Sequence, residues 1–347
     1  KAHREQLQPS PKAQARAGGL FARMDLQRRQ QLAAIDPVPA PTDAELDERA
    51  TLLKIKPTCC DGWICLICRR LNEPKDNLLC KIPPFKCATR NCKGQCPGTA
   101  GMNINDCEVN GVRTNFAIRD QGPNPTCAAH ALVAAMDVSI RIEGALREVT
   151  ICLPLNIVDL FAKYYPLFRE GVGNEVEEAD RMRRIPNLLR IAQLLGVKYV
   201  CATKCVRTER VLKLKSWFLL STATTEVDKL VRLIASGFPL LVGMRTGRCF
   251  KLTANKELYR GPNKEKNHAV LLIGVEVNQI FLTDETTGEN GKVHRVLFRA
   301  RDSHGDDAHK CAELTGYGGD VYLLPEDLGS HVFGFHLEIP SYLTVAP

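Results

Sequence analysis

The chain has 347 residues, 44% of them hydrophobic and 25% charged, close to the average for globular proteins. That is enough for one core-bearing domain of about 200–250 residues with smaller attachments, and the longest apolar runs, "HAVLLIGVEV" and "FPLLVGM", are of strand length and fall far short of a membrane span. The formal net charge of +8 favours acidic partners, nucleic acid among them, without choosing one.

Residues 1–56 are basic and rich in Gln, Arg and Ala. They offer a short helix in "LFARMDLQRRQQLAAI", a Pro-stiffened linker in "IDPVPAPTDAE" and no apolar set of core size, so a disordered extension is expected. A secretory leader, charged, then apolar, then small, is not expected at the start. Residues 57–107 hold nine of the fifteen cysteines, with Pro and Gly punctuation and little hydrophobic periodicity. Such a segment needs cross-links or metal to fold: disulfides in an oxidising compartment, metal in a reducing one.

From about Asn110 the pattern turns globular. "CAAHALVAAMDVSIRIEG" is apolar nearly all round, which predicts a buried central helix stopped at Gly144. "LNIVDLFAKYYPLF", "IPNLLRIAQLLGV" and "TTEVDKLVRLIASG" read as further helices, the last with Thr available for capping. Strands are then predicted in "FPLLVGMR", "HAVLLIGVEV", "NQIFLTDE", "VHRVLFRARD" and "DVYLLPE", with a hairpin turn at "TTGENGK". Helices first and antiparallel strands afterwards make an α+β domain with segregated halves, over roughly 110–330, and leave 331–347 as a tail.

Three stretches carry chemistry. Cys127 opens the central helix, where amide dipoles favour the thiolate, the nucleophilic form. His268 stands just before an apolar strand and can offer its ring to a cleft. Asp302 follows another strand and can orient that ring. Nucleophile, base and orienter in this order form a hydrolytic triad when they converge in space. Taken alone, Cys127 reads as a small buried hydrophobe, and His130 as a packed core residue.

Here the chain resembles the papain-like cysteine peptidases, on "DQGPNPTC", "NHAV" and "DSHG", with "ELYRGP" and "ELTGYGGDVYLL" in matching order. The resemblance implies a two-lobe fold, helical then barrel-like, and a peptide or protein substrate. It makes Cys127 the nucleophile, His268 the acid/base, Asp302 the orienter in a position the family fills with Asn, and Gln121 an oxyanion-hole donor. It implies no catalytic cofactor. The family's two Trp positions are Ala128 and His304, which leaves Asp302 wetter than usual and allows an inactive, partner-binding alternative. Asn124 stands where the family has a disulfide cysteine, which argues for a reducing, intracellular compartment.

The segment "GWICLICRRLNEPKDNLLC" resembles the Ran-binding-protein-type zinc finger. That resemblance implies a structural zinc on Cys65, Cys68, Cys80 and Cys87, although the second pair departs from the motif's spacing and Cys92 and Cys96 are alternative ligands. Arg69 and Arg70 lean toward RNA or another acidic partner.

Overall fold

The computed structural model describes residues 26–53, 63–64, 67–68, 70–72, 87, 89–93, 102–122, 126–149, 151, 155–168, 184–203, 206–247, 250–253, 258–259, 266–283, 290–305, 307–309 and 319–341. Its helices are α1 (Asp43–Leu53), α2 (Cys127–Ala145), α3 (Ile157–Phe168), α4 (Arg184–Leu194) and α5 (Val227–Ala235), with a further helical stretch over 26–33. Two-residue strands come first: β1 (Trp63–Ile64), β2 (Leu71–Asn72), β3 (Met102–Asn103), β4 (Glu108–Val109) and β5 (Val112–Arg113). Longer ones follow: β6 (Val197–Thr203), β7 (Val206–Leu212), β8 (Leu214–Ser221), β9 (Leu240–Thr246), β10 (Lys266–Thr283), β11 (Asn290–Arg301), β12 (Asp320–Leu323) and β13 (Leu328–Leu337).

The main sheet runs β12-β11-β10-β9-β13-β8, all antiparallel, with β3 pairing on β10. The fold is mixed α+β, as the sequence pattern predicts. Helix α2 packs on β9, β10 and β13, and of its residues only Cys127, Arg141 and Glu143 are not buried. A helix apolar nearly all round has little solvent face to offer, so it becomes the centre of the core.

Four segments differ from the sequence expectation. Residues 266–283 form one strand where two are predicted; its first part pairs with β9 and the remainder, past an irregularity at Leu272/Gly274, with β11. Strands β6, β7 and β8 come between the helices. Strand β13, read as the start of a tail, lies between β8 and β9. Finally, no core is expected within residues 1–56, yet Leu32, Leu46 and Leu53 are buried. They are too few to make a core of their own and complete the core of the domain that follows. Helix α1 starts at a reciprocal cap, Thr42 N–H donating to Glu45 Oε2 at 2.6 Å and Glu45 N–H to Thr42 Oγ1 at 3.3 Å. Arg49 then pairs with Glu143 at 2.8 Å, and Asp43 with Lys229 at 2.9 Å. Residues 1–25 lie outside the described residues.

Packing is tight where β13 crosses β8. A Cβ on Gly334 would stand 2.2 Å from the Phe218 ring, which is fully buried and wedged edge-on against Phe238. Gly334→Ala should therefore cost about 1–3 kcal/mol of stability by overpacking, read from chemical unfolding midpoints. An unchanged midpoint would mean that the ring moves freely.

Candidate active site

The fold brings Cys127, His268 and Asp302 together. Cys127 is the first residue of α2, whose N-cap, Thr126, makes no side-chain capping bond. The amides of the helix start that are not bonded to the Thr126 carbonyl, as that of Ala129 is, are therefore available to an anion. Burial alone would raise the thiol pKa, but the hydrogen bond and charge of His268, with backbone N–H groups of Ala269 and Ala128, hold it below its ordinary value. His268 sits in β10 opposite Met244 of β9, so the ladder fixes its backbone. Its Nε2 donates to Asp302 Oδ1 at 2.6 Å. With Nε2 engaged there, the bond to Cys127 falls to Nδ1. Burial alone would lower the ring's pKa; the bonds and charges of Asp302 and Cys127 raise it to about 9.

Asp302 follows β11 and is 1% exposed. Oδ1 also accepts from the Ser303 N–H at 2.7 Å. Oδ2 accepts from His304 Nδ1 at 2.7 Å and His309 Nε2 at 3.1 Å. His309 Nδ1 in turn lies 2.8 Å from the Thr253 carbonyl oxygen, which ties down the far side of the ring. Burial would raise the Asp302 carboxyl, but the bonds from His268, His304 and His309 hold it well below the usual range.

The sequence expects a wet Asp302, because the shielding Trp is missing. It is dry instead. His304 stacks on His268 with centroids 4.9 Å apart and planes 20° apart. Phe250 stands edge-on to His268 at 5.4 Å and to His309 at 4.9 Å. Sequence reasoning missed Phe250 and His309; a His seven residues beyond Asp302 in "RDSHGDDAHK" was the only signal for the latter. His130 is buried on α2, as expected, with burial and the Arg119 charge lowering its pKa to about 4.

Gln121 is clipped to the Asp302 loop. Its N–H donates to Ser303 O at 2.7 Å, Asp120 bridges His304, and Gly305 N–H donates to Arg119 O at 3.1 Å. The approach is close: a Cβ on Gly305 (φ +81) would meet Asp120 Cγ at 3.1 Å, which only glycine avoids. Ser303 Oγ donates to Gln121 Oε1 at 2.5 Å, which turns the carbonyl end of the amide to Ser303 and its NH2 end away.

Among the described residues, two groups of metal-capable atoms lie within 4.8 Å of one another: His268, Asp302 and His304, and Cys68, Cys87 and Cys92. The first is a hydrogen-bond network, since both imidazole nitrogens facing Asp302 already donate to it. Of the other predicted ligands, Cys65 and Cys80 lie outside the described residues.

Among the solved structures to which the chain is similar are three from distant organisms. Xylellain, a cysteine protease from Xylella fastidiosa, shares 15% identity at a TM-score of 0.42, over 65% of this chain and 85% of its own. Procathepsin B from Trypanosoma congolense shares 13% at 0.42, over 65% and 73%. The Amb a 11 cysteine protease of ragweed pollen, in its proform, shares 16% at 0.40, over 64% and 62%. All three are papain-like cysteine proteases. No family model and no curated protein sequence matches the chain. At such low identity and TM-score, what the chain does has to be read from its own side chains.

Proposed function

We propose that the chain is a cysteine-type peptidase, cleaving peptide bonds through a Cys127 thiolate and a His268 imidazolium. One observation carries the reading: a buried imidazole hydrogen-bonded to a helix-opening thiol on one nitrogen and to a buried carboxylate on the other. Cys127 Sγ attacks the substrate carbonyl and forms a tetrahedral oxyanion. Gln121 Nε2 and the Cys127 N–H are its donors, and losing one such donor typically costs about 100–1000-fold in rate. His268 protonates the leaving amine, leaving a thioester on Cys127. It then takes a proton from the water that attacks the thioester carbonyl and keeps it as the thiolate departs, which restores the ion pair. Asp302 holds the ring throughout, with His304 in the place of the missing Trp. The substrate is a peptide or protein, lying in a cleft between a helical lobe led by α2 and a β lobe bearing His268.

Labelling by an epoxide inhibitor of such enzymes, with mass-spectrometric site mapping, tests the reading. Wild type should be modified at Cys127 alone, and His268→Ala should lose the label. A folded wild-type chain that takes no label would instead be an inactive member of the fold that binds peptides or partners.

A further inference from the structure

The Cys-rich segment holds a site that the peptidase chemistry does not use. Strands β1 and β2 pair Trp63 with Asn72 and Ile64 with Leu71, so the chain between them turns back and carries Cys68. Cys87 and Cys92 come from a second turn, in which Cys92 N–H donates to Thr89 O at 3.0 Å and Asn91 adopts φ 63. The turns face each other. Cys68 Sγ stands 3.5 Å from Cys87 Sγ, and the sulfurs of Cys68, Cys87 and Cys92 all lie within 4.8 Å of one another.

That spacing is not a disulfide's, whose sulfurs are about 2.05 Å apart. It matches the edge of a tetrahedron around zinc, since sulfurs about 2.3 Å from the metal sit about 3.8 Å from each other. A second feature repeats on both turns. The backbone N–H two residues beyond the cysteine donates to its sulfur, Arg70 to Cys68 and Thr89 to Cys87, the latter at 3.5 Å. Amides aimed at sulfur favour the thiolate, the form that ligates metal. Among the described residues of 63–93 whose burial is known, Cys87 alone is buried, so these residues form no apolar cluster between the two turns.

We propose that Cys68, Cys87 and Cys92 are three thiolate ligands of a structural zinc ion that pins the two turns to each other. This ligand set brings in Cys92, an alternative in the sequence reading, beside Cys87. The proposal does not rest on the peptidase reading.

The test uses the full chain, purified under reducing conditions, with zinc measured per chain and cobalt substituted for it. About one zinc per chain and a thiolate-to-cobalt charge-transfer band are expected. Cys68→Ser, Cys87→Ser and Cys92→Ser should each weaken zinc binding roughly tenfold or more, and the same substitution at Cys65, Cys80 and Cys96 identifies the fourth ligand. In wild type, zinc should shield Cys68, Cys87 and Cys92 from maleimide and a chelator should expose them, a readout that needs no variant to fold. A zinc-free chain after reconstitution, a Cys68–Cys87 disulfide in the reduced preparation, or maleimide labelling indifferent to chelator would each overturn the site. So would zinc retained by the triple Ser variant and lost in His268→Ala, which would put the metal at the other cluster.

Discussion

Asp302→Ala should slow epoxide alkylation of Cys127 by about 50-fold at a pH of about 9, the size expected when a paired charge worth about 2 pKa units is withdrawn. Burial alone would lower the His268 pKa, and the bond to Asp302 is the largest contribution opposing it, followed by the bond to Cys127 and the Asp302 charge. The ring is protonated below a pKa of about 9 and loses its proton as the pH rises through that value. Epoxide opening needs that proton, so the wild-type rate should fall off near pH 9. Without the carboxylate, that alkaline limb should move to lower pH. Asp302→Asn separates geometry from charge. Its oxygen can still accept from His268 and Ser303, and its NH2 can face His304 and His309, but the negative charge is gone. Asn should therefore keep more rate than Ala while still lowering the alkaline limb. If the Ala variant's pH profile overlays that of wild type, Asp302 does not orient His268.

Asp320→Ala should destabilise the fold by about 3–5 kcal/mol, the usual cost of leaving a buried charge without its partner. Asp320 is fully enclosed, with Oδ1 accepting from Arg301 Nε at 2.8 Å and Oδ2 from Arg299 Nε at 2.9 Å. Removing it strands two guanidinium groups between β11 and β12. Arg301 also donates to Asn105 Oδ1 at 3.0 Å and to the Phe116 carbonyl at 2.9 Å, so the loss reaches the residue next to Asp302. The pH dependence follows from the same pairing. Burial would raise the carboxyl, but the Arg301 and Arg299 charges hold it below its ordinary 3.8. Its contribution is thus present above that value and is lost only as the pH falls below it through the depressed folded value. Urea unfolding at neutral pH measures the cost, and a midpoint within error of wild type would mean that the two arginines find other partners.

Helix α2 and the site residues it carries are readable in the sequence because local rules agree there: an apolar run, a Gly stop, and a Cys at the start. His268 is readable because a strand edge places it. What encloses Asp302 is not, since Phe250 comes from a short 3-10 helix and His309 from a turn whose approach no local spacing encodes. The same holds for Leu32, Leu46 and Leu53, whose partners lie far along the chain. Strands β6 and β7, in "VKYVCATKCVRTERVL", are crowded with charge and look like a surface stretch until they pair with each other. In "LGSHVFGFHL", Gly and His interrupt the alternation that would announce a strand; the Phe218 ring packed at Gly334 explains the second glycine.

The position of β13 has a consequence for biosynthesis. Its neighbours β8 and β9 are made more than eighty residues earlier than its last residue, Leu337, and cannot pair with each other across the gap. The sheet stays open down its middle until β13 has been made and has cleared the ribosome. Until then two strand edges face solvent as templates for pairing with other chains. Shortening the C-terminus into β13 would make that vulnerable interval permanent.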